Sequence, residues 1–503
     1  MKEKRLPEIN TLITISHIRF GIKVWPERKS TSPSGRTLSH LDAIIAPETI
    51  DPVTERPIGD DILEIMSILI NICIKQGMVL ERWLHVHNTM LEKVVGNDCI
   101  DKLRVINIFE ADFNLIMGIL WSQRLSRNAE KHKAFGEYQW GGRKGKNSID
   151  PVLLKVLTYE LAAYTRTGTI TNDNDAAACY DRIVMSFMTH RSQQLGMPVA
   201  PCKMLGVFLE YAKYYIKSQL GISKESYQST EEIPLNGPGQ GNRAGPPMWT
   251  CISTAAMNIL ASLHKGVEFA DPKQMRHTSR PIDGFVDDTT GCTNRFLMEL
   301  LMFTKERHNH QKSYKLLVAM ADDAQKMAQR WERLLWSTGG KLELTKCFTY
   351  ILHWVFDETG KPTLATNELL QKEYNIQPMN IQQSGTGETI KLEQKECTEP
   401  HRTLGPIIAP DRKQDGEIQR LTTMSRKHAD DLRVARATPK DTNTFTQSIY
   451  LPSITYSATI TGFTKKQSHK MQSPYTRAAL NNFNFNTMIN SLSYYLRAFM
   501  SLQ

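Results

Sequence analysis

The chain has 503 residues, 40% hydrophobic and 23% charged, which excludes an intrinsically disordered protein and leaves room for several lobes of about 100–200 residues each. Its formal net charge of +10 favours a polyanionic partner such as nucleic acid and carries no information about fold. Eight cysteines, none within twenty residues of another, form neither a zinc pattern nor a disulfide framework; they read as small core thiols of an intracellular protein, nuclear or cytoplasmic.

In chain order, the N-terminus (Met1-Lys2-Glu3-Lys4-Arg5) is charged and leads into no apolar run, so no signal peptide is expected. The stretch Ser30-Thr31-Ser32-Pro33-Ser34-Gly35-Arg36 reads as extended structure with turns. From Asp61 to Trp121 the apolar residues recur at helical spacing, with a break at Gly96-Asn97-Asp98. The longest apolar stretch, Ile62 to Ile74, contains Glu64 and Asn71 and falls short of the roughly 20 residues that cross a bilayer, so no membrane partner is expected. Arg124 to Lys146 is a basic, glycine-containing loop with seven Lys or Arg against two Glu, a composition equally suited to a solvated surface and to a polyanion.

The middle of the chain has a more definite grammar. Thr167 to Asn172 is a predicted strand leading into Asp173-Asn174-Asp175, followed by a helix from about Ala176 that stops before Gly196-Met197-Pro198. A second helix is predicted from Cys202 to Leu220. The turn Gly237-Pro238-Gly239-Gln240-Gly241 precedes Pro246-Pro247 and a helix to about His264, since Pro suits a first helical turn. Ile282 to Val286 and Thr289 to Thr293 are two short predicted strands, with Asp287-Asp288 between them at a hairpin tip. Ser313 to Trp336 is helical and ends at Gly339-Gly340, and Cys347 to Phe356 is a strand. The order implies an α+β fold in which a split βαβ sheet packs on helices, an arrangement many unrelated functions share.

Four Asp-Asp pairs occur: Asp60-Asp61, Asp287-Asp288, Asp322-Asp323 and Asp430-Asp431. A bare pair is usually a solvated surface feature. Only Asp287-Asp288 follows a strand, Phe285-Val286, and precedes another. Asp175 supplies a third carboxylate from a separate segment; by itself it reads as the N-cap of the following helix. Phosphoryl transfer from a nucleoside triphosphate needs such carboxylates on rigid neighbouring strands, where they hold divalent ions through hard oxygen atoms.

Phe285-Val286-Asp287-Asp288 resembles the aromatic-x-Asp-Asp motif of reverse transcriptases. Asp175-Ala176-Ala177-Ala178-Cys179-Tyr180-Asp181-Arg182 is similar to their upstream motif, an Asp followed five residues later by an aromatic, and Asp181 matches a second Asp often seen in non-LTR elements and group II introns. Gly237-Pro238-Gly239-Gln240-Gly241 with Pro246 resembles the Gln-Gly motif between those two. Gly339-Gly340 with Lys346 resembles the downstream Gly-to-Lys segment, and His401-Arg402-Thr403-Leu404-Gly405 the hairpin that grips a primer end. Upstream, Lys102-Leu103-Arg104-Val105-Ile106 is similar to a basic fingers strand, and Ser32 to Arg36 to an N-terminal segment of cellular retroelement polymerases. Each motif is short; their shared order, over roughly Trp25 to Tyr456, carries the resemblance.

The resemblance implies a right-hand polymerase: an N-terminal extension at 1–60, fingers at 61–165, a palm at 166–360, a primer-grip-like hairpin region at 361–412, and a helical, thumb-like region at 413–503 that reads as whole or truncated. Asp175, Asp287 and Asp288 would hold two Mg²⁺ ions, or Mn²⁺. Tyr180 would exclude a 2′-hydroxyl, Gln240 and Gly241 would lie along the nascent base pair, and Lys102 and Arg104 would neutralise the triphosphate. Lys346 would donate a proton to pyrophosphate, and Asp181 would be structural. Arg124, Arg127, Arg143, Lys144 and Lys146 would contact template phosphates, and Leu404 and Gly405 the primer. Implied partners are an RNA template, a DNA or RNA primer and deoxynucleoside triphosphates. With no RNase H, endonuclease or Cys/His knuckle in the sequence, the chain reads as working with partners or as one piece of a longer retroelement polyprotein. Two rival readings stand beside this one. An RNA-dependent RNA polymerase usually carries Gly before the Asp pair and a Ser-Gly middle motif, unlike Phe285-Val286 and Gln240-Gly241. A decayed or domesticated copy would bind nucleic acid without catalysis.

Overall fold

A computed structural model describes residues 5–24, 32–36, 38–45, 50–97, 99–270, 277–294 and 310–482. Ser30, Thr31 and the tail beyond Asn482 lie outside the described residues.

The first part of the chain is helical: α1 (Ile15–Lys23), α2 (Leu38–Ile44) and α3 (Ile58–Gln76), the last closed by Gly77 in the left-handed region. Strands β1 (His85–Glu92) and β2 (Leu103–Ile108) follow; helical spacing had been expected to continue through both, while the resemblance alone had marked Lys102–Ile106 as a strand. Helices α4 (Ala111–Met117) and α5 (Ser126–Lys131) come next, joined by a wider helical turn at Gly118–Leu125. Then come α6 (Ile149–Thr165), β3 (Thr169–Asp175), α7 (Met185–Gln194), α8 (Val199–Tyr211), β4 (Lys213–Ser218) and β5 (Gly221–Ile222). The order β2-β1-β4-β5 makes one sheet, with β1 and β4 parallel.

The helix expected from Cys202 to Leu220 stops at Tyr211. Its second half is the aromatic and branched run Tyr214-Tyr215-Ile216, which pairs with β1 instead. The helix expected from Ala176 begins only at Met185. The intervening backbone is drawn into tertiary hydrogen bonds: Ala177 donates to Lys341 O at 2.8 Å and Val184 to Thr338 O at 3.2 Å.

Helix α9 (Gly245–Leu263) starts on Pro246-Pro247, as the sequence predicts. A small hairpin, β6 (Val267–Ala270) and β7 (His277–Arg280), leads to β8 (Ile282–Phe285) and β9 (Asp288–Asn294). The long α10 (His310–Ser337) ends where Gly340 N donates back to Leu335 O at 3.0 Å, the predicted cap. Beyond it run β10 (Phe348–Leu352), β11 (Trp354–Phe356), β12 (Pro362–Leu364), α11 (Asn367–Tyr374), β13 (Asn380–Gln382), β14 (Thr389–Lys391) and β15 (Glu393–Lys395). The hairpin β16 (His401–Arg402) and β17 (Ile407–Ile408) precedes α12 (Asp415–Ala435), α13 (Pro439–Phe445), α14 (Leu451–Thr455) and α15 (Lys465–Asn482).

The central sheet has the order β15-β10-β3-β9-β8. Because side chains alternate across a strand, β3 sends Ile170, Asn172 and Asn174 one way and Thr169, Thr171, Asp173 and Asp175 the other. The first face meets α9 and α10: Ile170 joins their apolar side chains in the main core, and Thr293 of β9 donates to Met327 Sδ at 3.8 Å. The second face meets α6, where Val152, Tyr159 and Ala162 pack with Phe348, Tyr350 and Leu352. The main core runs from Ile13 to Leu392, while Leu421, Leu432, Tyr450, Ile454, Met471 and Tyr475 form a separate core in the C-terminal helices. All eight cysteines are free and seven are buried. Among the described residues, no helix is long and apolar enough to cross a membrane.

Candidate active site

The register of β3 and β9 sets Asp175 directly opposite Asp288 and Asp173 opposite Thr290. In an antiparallel ladder such partners project from the same face, so one sheet face gathers Asp173, Asp175 and Asp288. Phe285 pairs with Asp288, which leaves Val286-Asp287 as the two-residue turn of the hairpin. Asp175 ends its strand without capping a helix.

Val286 sits at φ +59, a conformation costly for a β-branched residue, on the order of 1–3 kcal/mol. Its surroundings impose it. The fully buried Gln139 amide receives Val286 N–H on Oε1 at 3.0 Å and donates from Nε2 to Val286 O at 3.1 Å. Trp249 Nε1 donates to the same carbonyl at 2.6 Å. Trp140 N and Gly284 O, then Gly284 N and Tyr138 O, pair at 2.8 Å each, so residues 138–140 lie along β8 like a further short strand. Gly141 belongs here because a Cβ would collide with Val286 N.

The carboxylates repel one another. Asp287 is raised above the usual aspartate range, first by burial and then by Asp175. Asp288 is pushed up to about 6, by burial first, then by Asp287, Asp175 and Asp173, with Lys155 opposing. The Lys346 amine sits 2.8 Å from Asp175 Oδ2, and this hydrogen bond raises its own pKa. Among the described residues no three His, Cys, Asp or Glu side chains form a ready-made metal cage. The fit to Mg²⁺ is one of charge and donor type: hard carboxylate oxygens whose mutual repulsion a divalent cation would relieve.

The sign of the Asp288 effect follows from linkage. Its folded-state pKa lies above the unfolded value of 3.8, so its ionisation destabilises the fold, with no cost below that pH and the full cost above about 6. The side chain reaches solvent at the rim, which moderates the effect. Asp288→Asn is therefore expected to raise the melting temperature of the cation-free protein by a few degrees at pH 7.5 and not at pH 4. Thermal melts at the two pH values check it; an equal gain at both would remove the ionisation explanation.

The other sequence-predicted residues divide by position. Tyr180 is half-buried beside Gly245, and the pKa of its hydroxyl is raised by burial, then by Cys179 and Asp287. The Gly237–Gly241 turn fits against that segment so closely that a Cβ on Gly237 or Gly241 would overlap the carbonyl oxygens of Tyr180 and Asn107. Gln240 O receives Asn107 N at 2.7 Å, and Gln240 N donates to Asp181 Oδ1 at 3.2 Å, so Asp181 is held in a structural bond. The turn thus ties the Tyr180 segment to β2, which carries Arg104; Arg104 and Lys102 just before it are exposed.

In the basic segment, Arg124 bonds the carbonyls of Asn10 and Leu12 at 2.7 and 2.9 Å. Arg143 is 7% exposed and bonds Glu130 at 2.7 Å and the carbonyls of Gly136 and Gln139. These two side chains are engaged within the protein, whereas Arg127, Lys144 and Lys146 are exposed, Lys146 lying over the Trp140 ring. Leu404 and Gly405 form the tip of the β16–β17 hairpin, and Tyr456 donates to Leu404 O at 3.0 Å.

Beneath the carboxylates lies a cavity of about 540 Å³ between α6, the central sheet and the β16–β17 hairpin, lined among others by Asp175, Asp288, Lys346, Phe348, His401 and Leu404. It also holds residues that sequence reasoning passed over. Lys155, 4% exposed, donates to Asp173 Oδ1 at 2.6 Å, and Thr290 donates to the same oxygen at 2.6 Å. Asp173 was legible through its two-residue spacing from Asp175; Lys155, on a helix, and Gln139, in a loop, gave no signal. No protein-family model matches the chain, and no curated protein matches it.

Proposed function

We propose that this chain is the polymerase part of a retroelement reverse transcriptase, an RNA-directed DNA polymerase that adds deoxynucleotides to a primer. The observation that carries the reading is the register: Asp175 faces Asp288 across β3 and β9, with Asp287 in the strained turn between β8 and β9. On this reading, residues 61–165 are fingers, 166–360 the palm and the C-terminal helices a thumb.

Asp175 and Asp287, with Asp288 beside them, would hold two Mg²⁺ or Mn²⁺ ions, which supply charge neutralisation for phosphoryl transfer when bound. The protein's own side chains do the rest. The Tyr180 ring, beside Gly245 and near Asp287, closes the space where a ribose 2′-hydroxyl would lie. Gln240 and Gly241, their backbone held by Asn107, Asn114 and Asp181, would lie along the nascent base pair, and Lys102 and Arg104 would meet the triphosphate from β2 and the turn before it. Lys346 keeps its proton at Nζ, where the hydrogen bond to Asp175 holds it, and would pass it to the departing pyrophosphate once that bond is released. Leu404 and Gly405, above the cavity, receive the primer end, and Arg127, Lys144 and Lys146 contact template phosphates with little sequence preference.

Primer extension by the purified chain on an RNA template with deoxynucleotides and Mg²⁺ tests the reading. Extension with ribonucleotides alone would favour an RNA polymerase; salt-sensitive RNA binding without extension would favour a decayed copy. Tyr180→Val is expected to raise ribonucleotide incorporation relative to deoxynucleotide by about tenfold or more. An unchanged ratio in competition assays would remove the gate role.

A further inference from the structure

Helix α3 is apolar on both sides, and among the described residues only one side is covered. Leu63, Ile70, Cys73 and Ile74 are buried within the chain, while Ser67 and Asn71 bond the backbone of Ile13. The opposite face exposes Ile65 (60%), Ile68 (53%), Leu69 (46%) and Ile72 (48%). A helix that is hydrophobic all round is normally buried all round. The positions 58, 62, 65, 69, 72 and 76 follow the alternating four- and three-residue spacing of a two-helix seam.

The seam is symmetric about its own middle. Set antiparallel to an identical helix, Ile65 faces Leu69, Ile62 faces Ile72, and Ile58 faces Gln76. The charges follow the same symmetry. Asp61 and Glu64 flank the stripe near its start and Lys75 flanks it on the same side near its end, so antiparallel pairing brings Lys75 beside the Asp61 of the other copy. Arg56 already approaches Asp61 and Glu64 at 3.8 and 3.4 Å, but all three side chains are about half exposed and loosely held. Antiparallel helices also align opposite ends of their dipoles.

We infer that the outer face of α3 is a self-association surface through which two copies of this chain pair antiparallel. The occupant is a second copy because stripe and flanking charges are complementary to themselves. The face lies opposite the side of α3 that packs on α1 and α8, so pairing needs no rearrangement of the core.

Sedimentation velocity on the full chain at micromolar concentration is the test, with a dimer expected at twice the 57.3 kDa chain mass. Ile65→Glu with Leu69→Glu should weaken association by roughly a hundredfold or more, because charge is then buried in an apolar seam. Both sites are exposed in the single chain, so the variant should keep its circular dichroism spectrum and melting temperature. Lys75→Glu should weaken the dimer about threefold to tenfold, and Asp61→Lys added to it should restore the native affinity. A native chain that stays monomeric overturns the inference, as does a dimer indifferent to the Ile65 and Leu69 changes. Failure of the charge exchange to restore affinity overturns the antiparallel pairing.

Discussion

Asp287→Asn is expected to abolish primer extension while leaving the fold and RNA binding intact. Asn preserves the volume and most of the hydrogen-bonding outline of Asp, so the hairpin turn keeps its shape. What disappears is one negative charge at a tip where burial and the neighbouring carboxylates already hold Asp287 and Asp288 above the usual aspartate range. Losing that charge removes a repulsion from the free protein, so its melting temperature should hold or rise. It also removes part of the electrostatic preorganisation that a phosphoryl transfer depends on, for which a loss of about a thousandfold or more is the expected scale. Single-turnover extension beside a salt titration of RNA binding separates the two effects. Extension within about threefold of the native rate would sink the assignment of Asp287 and, with it, the polymerase reading.

The second large effect is expected at a residue distant from any carboxylate role. Gln139→Ala should destabilise the protein by about 3–5 kcal/mol, since it strands the buried N–H groups of Val286 and Gly141 and leaves a void. Val286 O would keep Trp249 Nε1 as a partner, so the turn would loosen and not collapse. Gln139→Glu keeps the volume but sets a carboxylate oxygen against Val286 O where an amide N–H now donates. In both variants, at a temperature where the protein remains folded, kcat should fall far more than KM rises, because the hairpin tip moves while the binding surfaces do not. A variant that melts early yet extends primers at the native kcat would show that Gln139 supports the fold without positioning the tip.

How much of this was legible beforehand differs by element. The acidic hairpin could be read because its signals are local: Phe285-Val286 before the pair, a β-rich run after it, and a tight turn between. The end of α10 could be read for the same reason, since Gly339-Gly340 acts on the turn it closes. Strands β1 and β4 could not. They pair with each other across more than a hundred residues, and neither shows enough alternation to overrule the helical pattern that precedes it, that of α3 for β1 and of α8 for β4. The helix expected at Ala176 failed for a related reason: backbone bonds to the carbonyls of Lys341 and Thr338 hold that stretch in turns that no local propensity would choose. Gln139 and Lys155 lay beyond reach because their importance resides in what they touch. The first holds a peptide 147 residues away and the second a carboxylate on a neighbouring strand.

Strand β10 has a further consequence, for the protein while it is being made. All five of its residues, Phe348-Thr349-Tyr350-Ile351-Leu352, are buried, and it lies between β3 and β15. β15 is synthesised some forty residues later, so a nascent chain can pair β10 with β3 and still present the other edge of an aromatic, uncharged strand to its surroundings. Such an edge is a template for strand addition by another chain. Only three residue pairs, Phe348 with Glu393, Thr349 with Gln394 and Tyr350 with Lys395, close it, and they bring charge to the rim. Truncation upstream of Glu393 would therefore leave a strand prone to aggregate, and ribosome pausing within that interval would expose the same hazard transiently.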